Sequence, residues 1–445
     1  MRKIKLPKDT EITLSVILEL IEEHELEKKR IIRMKDYYKN RNSKIIDRTY
    51  KDKNKPSNRL AHNYAGYITN SYVGYMLGQP VSYKSDNQDL LDKINNVFMY
   101  NDEADTNTTI AQEQSICGYA YEIVYTDEDA NVRFKPVPTE NMIVVYDNDL
   151  EEKMQFAIRY FDIKDIIEDE EYQQVEVYTK YNKSTYIKDA SNISFISEED
   201  HFFNDIPVVD YDNNNNRIGD FENVISLIDA YDQANSDTAN DFEYFTNALL
   251  VISGVLMEET DEQGRPLNFK DNRVLNFLDA NSKAEYLIKD INDTALENYK
   301  NRLNQDIHKF ANVVDMSDSN FASNLSGVAM KYKLSGMEYL TGIKESKFKK
   351  GLMRRIELLV NILNIKNNND FVYLDIKPVF VRNIPANEEE LVSMAKNLYG
   401  IVSEETLLSL LPFVEDVQAE KDAIAKEKEN QAIEYDNFGS EIDEG

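Results

Sequence analysis

Residues 317–365 constrain this chain more than any other segment. A polar, small-residue stretch, SDSNFASNLSG (317–327), runs into a pattern that predicts one very long helix over about 327–365. Gly336, Gly342 and Gly351 lie inside that helix. Each interior glycine costs about 1 kcal/mol relative to alanine. Three in one helix therefore read as bends or as places of close packing. The same helix carries a basic run, Lys344, Lys347, Lys349, Lys350, Arg354 and Arg355. That run reads either as a phosphate contact or as a salt-bridged face against an acidic neighbouring subunit.

Two further helices bracket a small insert. Phe221, Val224, Ile225, Ile228 and Tyr231 follow a helical advance over 221–245, with Asp220 placed to cap it. Leu296, Tyr299, Leu303, Ile307, Phe310 and Val314 form one stripe over 293–316. Between them, ALLVISGVLM (248–257) and VLNFLDANSKAEYLI have strand character, so 246–290 reads as a β insert. Helix, β insert, helix describes a stalk with a tip.

The first 210 or so residues read as one α+β body. Helices are expected at 11–41, capped by Thr10, at 60–77 with tyrosines at 64, 67, 72 and 75, and in much of 86–116. Short alternating runs over 119–210, split by Asn, Asp and Gly, predict antiparallel strands and hairpins. Residues 371–385 read as a strand pair or one bent strand. Helices are expected at 388–399, at 404–411 behind Ser403, and at 415–430. From 404 to the end there are 13 acids and 3 bases, and 431–445 reads as an acidic disordered tail.

Net charge is −30, from 81 acidic and 51 basic residues. Such a chain as a whole repels DNA, which excludes a basic-groove binder more firmly than a wall that lets DNA slide past. One cysteine, Cys117, excludes an intramolecular disulfide framework and a Cys-based zinc site; burial as a small hydrophobe is expected for it. No run of 18 apolar residues exists in the sequence, so no membrane span is expected.

Catalytic motifs are sparse. His24, His62, His201 and His308 are scattered, and His308 lies off the apolar stripe as a solvated or interface residue. No Walker loop, G-x-S-x-G elbow or HExxH motif is present. Acid pairs do occur, Asp229/Asp232, Asp237/Asp241 and Asp241/Glu243. Two metals held by such acids would make a DNA-processing nuclease; the competing reading is a solvated or channel-facing acidic surface. No cofactor or metal is expected.

Four segments carry a family likeness: NKPSNRLAHNYAGYITNSYVGYMLGQPVSY (54–83), DFENVISLIDAYDQANSDTANDFEYF (220–245), NFASNLSGVAMKYKLSGME (320–338) and ANEEELVSMAKNLYGIVSEETLLSLLPFVEDVQAE (386–420). In this order the chain resembles the portal proteins of tailed double-stranded DNA bacteriophages, in the branch of long-tailed phages of Gram-positive hosts. The resemblance implies a non-enzymatic ring, typically of twelve subunits, at one capsid vertex of the virion, assembled in the host cytoplasm. It implies a wing at 1–219, stem helices at 220–245 and 291–316, a clip at 246–290, a tunnel loop at 317–327, a long helix with wing strands at 328–385, and a crown at 386–430. Implied partners are further copies, the terminase large subunit, head-completion or adaptor proteins, scaffolding and major capsid proteins, and DNA in the channel. Ser319, Asn320, Phe321, Ser323, Asn324 and Ser326 are the expected DNA-facing residues, with Asp229, Asp232, Asp237, Asp241 and the basic run lining the channel or meeting neighbouring subunits.

Overall fold

The computed structural model describes residues 3–49, 56–165, 170–189, 192–246, 249–253, 283–287, 293–317, 327–383 and 388–409, with 411, 414, 417 and 420–428. The chain divides into two compact units, Met1–Asp315 with Gly336–Arg382, and Met316–Ser335 with Asn383–Gly445.

The first unit is α+β. Strand β1 (Ile4–Leu6) precedes helices α1 (Leu14–Tyr38), α2 (Ser43–Ile46) and α3 (Tyr64–Leu77). Strand β2 (Ser82–Lys84) leads to α4 (Gln88–Tyr100) and α5 (Glu103–Cys117). A run of strands follows: β3 (Tyr119–Thr126), β4 (Val132–Val137), β5 (Met142–Asp147), β6 (Met154–Asp165), β7 (Glu170–Tyr178), β8 (Asn182–Lys188), β9 (Ile193–Asp200) and β10 (Val208–Asp212). Next come α6 (Ile225–Thr246), β11 (Leu249–Ser253), β12 (Lys283–Leu287) and α7 (Asp293–Ala311). Helix α8 (Gly327–Asn367) belongs to this unit from Gly336 onward, and β13 (Lys377–Val379) follows it. The second unit holds α9 (Glu388–Leu398) and α10 (Glu404–Ser409), whose first turn is capped by Ser403 Oγ accepting from Thr406 N at 3.3 Å.

The strand-rich region forms two sheets. The larger runs β1-β5-β6-β7-β8-β9, with β1 parallel to β5 and the other pairs antiparallel. The smaller runs β10-β3-β4. Where a strand pair or one bent strand was expected over 371–385, the described residues hold a 3-10 turn, Tyr373–Asp375, and the short β13, which pairs with β2 about 295 residues earlier in sequence order, Lys377 opposite Lys84. Strands β11 and β12 pair antiparallel between α6 and α7. The rest of the β insert lies outside the described residues.

Two local expectations shift. Thr13, not Thr10, caps α1, its hydroxyl accepting from Val16 N at 3.3 Å. Asp220 does not cap α6. A 3-10 turn, Glu222–Val224, intervenes, and Asp220 accepts from Ser115, Asn213 and Lys344 side chains.

The larger core is built around α8. Phe348, Leu352, Ile356, Leu358, Leu359, Val360, Ile362 and Leu363 are buried, in contact with residues of α3, α4, α5 and the smaller sheet. A segment apolar on so many sides must be enclosed. The second core lies where Ile17, Leu20 and Ile21 of α1 cover Ile143, Val145, Phe156 and Ile158 of the larger sheet.

His24 lies one turn further along α1. It is buried, with Nδ1 2.8 Å from the Tyr160 hydroxyl. Burial lowers its pKa to about 4, against an ordinary value of 6.5. Between these values the unfolded chain binds more protons, so stability rises with pH. The contribution is complete above the unfolded value and is lost as pH falls toward the folded one. Stability is expected to drop by about 2 kcal/mol from this group between pH 7 and pH 5. Denaturant titrations at both pH values check this: His24→Gln should show a smaller drop than the native chain, and parallel curves would refute it.

Candidate functional site

Helix α6 carries the acid pairs that could serve paired-carboxylate chemistry. Its acids are engaged by the chain itself. Asp229 accepts from the Tyr37 hydroxyl at 2.6 Å and pairs with Lys44 at 3.1 Å. Asp232, fully buried, accepts from His62 N and faces His62 Nδ1, both at 2.9 Å, and accepts from Asn42 Nδ2 at 2.9 Å. Ser236 accepts from Leu60 N at 2.9 Å, and Asp237 pairs with Arg48 at 2.8 Å. Asn240 and Glu243 accept from Asn58 N and Nδ2 at 2.6 and 2.7 Å. Positions 229, 232, 236, 240 and 243 make one helical stripe, stitched along its length to residues 37–62. Asp241 is half-buried beside it. Among the described residues no group of three or more His, Cys, Asp or Glu side chains is arranged to hold a metal ion.

The tyrosines of α3 hold the end of α7 and the Glu338 turn of α8. Tyr64 donates to Asn304 Oδ1 at 2.6 Å, Tyr72 to Ala311 O at 2.9 Å and Tyr67 to Val314 O at 2.6 Å. His308 sits edge-on to the Tyr64 and Tyr67 rings at 5.8 and 5.6 Å, so it is a packing residue between α3 and α7. Helix α7 ends at Ala311, and Asn312 takes a left-handed φ of 53°. A carbonyl left free at a helix end needs a donor; the Tyr72 hydroxyl supplies one to Ala311, and the Tyr67 hydroxyl serves Val314 just beyond the helix. On α8, Gly336 lies against Asn312: a Cβ there would stand 3.1 Å from Asn312 Oδ1. Tyr75 donates to Glu338 at 2.7 Å, and Arg382 bonds the same carboxylate at 2.9 Å. Burial pushes the Tyr75 hydroxyl up to about 12, which keeps it a donor at neutral pH. One row of tyrosines thus holds the end of α7 and the Glu338 turn of α8. Ser319, Asn320, Phe321, Ser323, Asn324 and Ser326 lie outside the described residues.

The basic run of α8 does not form one face. Arg355 is fully buried and grips both oxygens of Glu122 at 2.8 Å, with Asn107 Oδ1 also at 2.8 Å and the Phe134 ring 4.4 Å away. Lys344 is buried against Asp220, and desolvation lowers its pKa despite that carboxylate. Arg354 bonds Asp205 at 2.7 Å and Glu357 at 2.8 Å. These three have carboxylate partners within the chain itself. Lys349 and Lys350 are exposed, and Lys347 is half-buried. Tyr299 and Phe310, expected in the apolar stripe of α7, are about half exposed.

The sequence profile of the family described as phage portal protein, SPP1 Gp6-like, matches residues 17–434. The chain belongs to this family of phage portal proteins. The portal protein of Clostridium phage phiCD119 is 26% identical over 441 residues, covering 92% of this chain and 96% of that protein. The portal protein of Bacillus phage SPP1 is 25% identical over 431 residues, covering 92% and 82%.

The portal match spans every helix from within α1 to past α10. Portal proteins are structural components of the phage head. Among the described residues no helix is long and apolar enough to cross a membrane. Two features of this portal chain escaped the sequence reading. The α3 tyrosines were visible as aromatic bulk, but their hydroxyl partners lie about 240 residues away. The α6 stripe was visible as spacing, yet its donors in 37–62 carry no pattern of their own.

Proposed function

We propose that this chain is one subunit of a closed ring, of twelve copies, at a single vertex of a phage capsid. Double-stranded DNA passes through the hole during packaging and ejection. The observation that carries this reading is the portal-family match over residues 17–434, which takes in all of α6, β11, β12, α7 and α8. In this scheme residues 1–219 with the main part of α8 are the wing, α6 and α7 the stem, and 246–290 the clip that meets terminase and later the head-completion proteins. Residues 317–327 are the tunnel loop and 386–430 the crown.

Physical chemistry supports a conduit. A net charge of −30 disfavours a tight grip on phosphate, and contacts made during sliding must also be broken. Polar Ser319, Asn320, Ser323, Asn324 and Ser326 touch phosphate weakly, and Phe321 packs against a neighbouring loop or wedges against DNA. The α3 tyrosines act as the anchor for that loop. Because Asp229 and Asp232 are used by residues 37–62, the acidic lining falls to other residues.

Negative-stain microscopy of the purified chain tests the ring: rings with a central hole are expected, and a field of monomers or dimers alone would overturn the proposal. Deleting 320–325 tests the loop. Rings should persist while packaged or retained DNA is lost in a complementation assay; loss of rings would make the loop an assembly element instead.

A further inference from the structure

A cationic cleft beside β1 and an acidic outer face of α1 lie on opposite sides of the larger sheet. In β1, Ile4 and Leu6 pack into the core beneath α1. Side chains alternate across a strand, so Lys3 and Lys5 face the other way. There they border a cleft of about 890 Å³ together with Arg217, Glu152, Asp212 and two lysines of α8, Lys347 and Lys350. The last two are three residues apart and share a helix face.

Most of these cations are already occupied. Arg217 pairs with Asp210 and Asp212 at 2.8 and 2.9 Å, and Lys3 reaches the same carboxylates at 3.4 Å. Lys5 pairs with Glu152 at 2.5 Å. Lys347 and Lys350 form no ion pair among the described residues. In a chain with 30 excess negative charges, two unpaired lysines at the lip of a cationic cleft mark a surface suited to an acidic partner.

The other side of the sheet supplies one. The buried stripe of α1 faces the sheet, so its opposite face looks outward. Glu19, Glu22 and Glu23 are exposed there and have no ion-pair partner among the described residues. Leu26, next along the same face, is 77% exposed. The spacing 19, 22, 23, 26 keeps all four on one side of the helix.

We propose that the α1 glutamates of one copy dock at the Lys347/Lys350 cleft of the next. This rests on the ring reading given above and specifies one of its contacts. A ring requires head-to-tail contacts in which each subunit offers two different, complementary patches. Patches on opposite faces of one layered body meet that requirement, whereas a two-fold dimer would use the same patch twice. Leu26 packs on the aliphatic stems of the lysines while their ammonium groups meet the carboxylates.

The experiment uses the full-length chain, with native mass spectrometry and negative-stain microscopy at several protein concentrations. Lys347→Glu with Lys350→Glu should raise the concentration needed for rings by on the order of tenfold or more, because like charges then face each other. Glu19→Lys, Glu22→Lys and Glu23→Lys together should do the same. Combining all five substitutions should restore rings toward the native concentration. Circular dichroism melts of each variant establish that the fold survives, and the milder Lys347→Gln with Lys350→Gln should give an intermediate shift. Native-like rings in both single-patch variants, or no recovery in the combined one, would overturn this contact and leave the ring standing. Unchanged assembly with weakened binding to a short DNA duplex would assign the cleft to phosphate instead and also overturn it. If the native chain makes no rings at all, the portal-ring reading itself falls.

Discussion

Replacing Arg355 with alanine is expected to lower stability by about 3–5 kcal/mol, the usual cost of stranding one partner of a buried ion pair. Glu122 is fully buried, and the guanidinium fork occupies both its oxygens at 2.8 Å. After the substitution its remaining neutral partner is the Tyr211 hydroxyl at 3.0 Å. Glu103 also loses a cation 3.5 Å away. Burial already raises the Glu103 pKa, and Arg355 is the main influence opposing that rise. Arg355→Lys should not rescue, because an ammonium cannot bond both oxygens in parallel and also reach Asn107. Arg355→Met with Glu122→Gln should recover a large part of the loss, since removing both charges removes the desolvation penalty. Urea denaturation of the four proteins measures this. A native-like midpoint for Arg355→Ala would show that the pair does not secure α8 to β3 and α5.

The second large effect has opposite signs at two glycines of one helix. A Cβ built on Gly351 would lie 2.2 Å from Cδ1 of Tyr211. That ring cannot retreat: it is fully buried, packs on Phe348 at 5.2 Å between centroids, and is tied through its hydroxyl to Glu122. Gly351→Ala is therefore expected to destabilise by about 1–3 kcal/mol through overpacking, against a helix-propensity gain of about 1 kcal/mol. Gly342 has no atom within 4 Å of its built Cβ. Gly342→Ala should stabilise by up to about 1 kcal/mol. Thermal melts of both variants give the comparison, and a destabilised Gly342→Ala would point to a bend that alanine resists. The glycines of α8 were read from sequence as bends or as close packing, and Gly351 is a case of close packing.

Much of the fold was legible because helices and strands are written locally. The apolar advance of 3 and 4 placed α6 and α7 near their observed spans, and the alternating runs placed β3 to β10 in one stretch of chain. The family likeness was also readable, because it resides in the order of short segments. Partner choice was not. The cations of the basic run in α8 look alike in sequence, yet Arg355 is at the centre of a core, Arg354 near the surface in a pair, and Lys350 exposed. The acids of α6 have the spacing of a metal site, and only the folding of 37–62 onto them shows that protein donors already fill it.

The sequence by itself determined the approximate places of most helices and strands, the α+β class, the acidic charge and the portal family. Those properties depend on residues within a few positions of each other, or on their order. The tertiary structure alone decided which charges are paired and which remain available. Arg355 and Glu122 are 233 residues apart. A buried charge is tolerable only where another charge or dipole comes within a few ångströms, and no local pattern records which distant residue that will be.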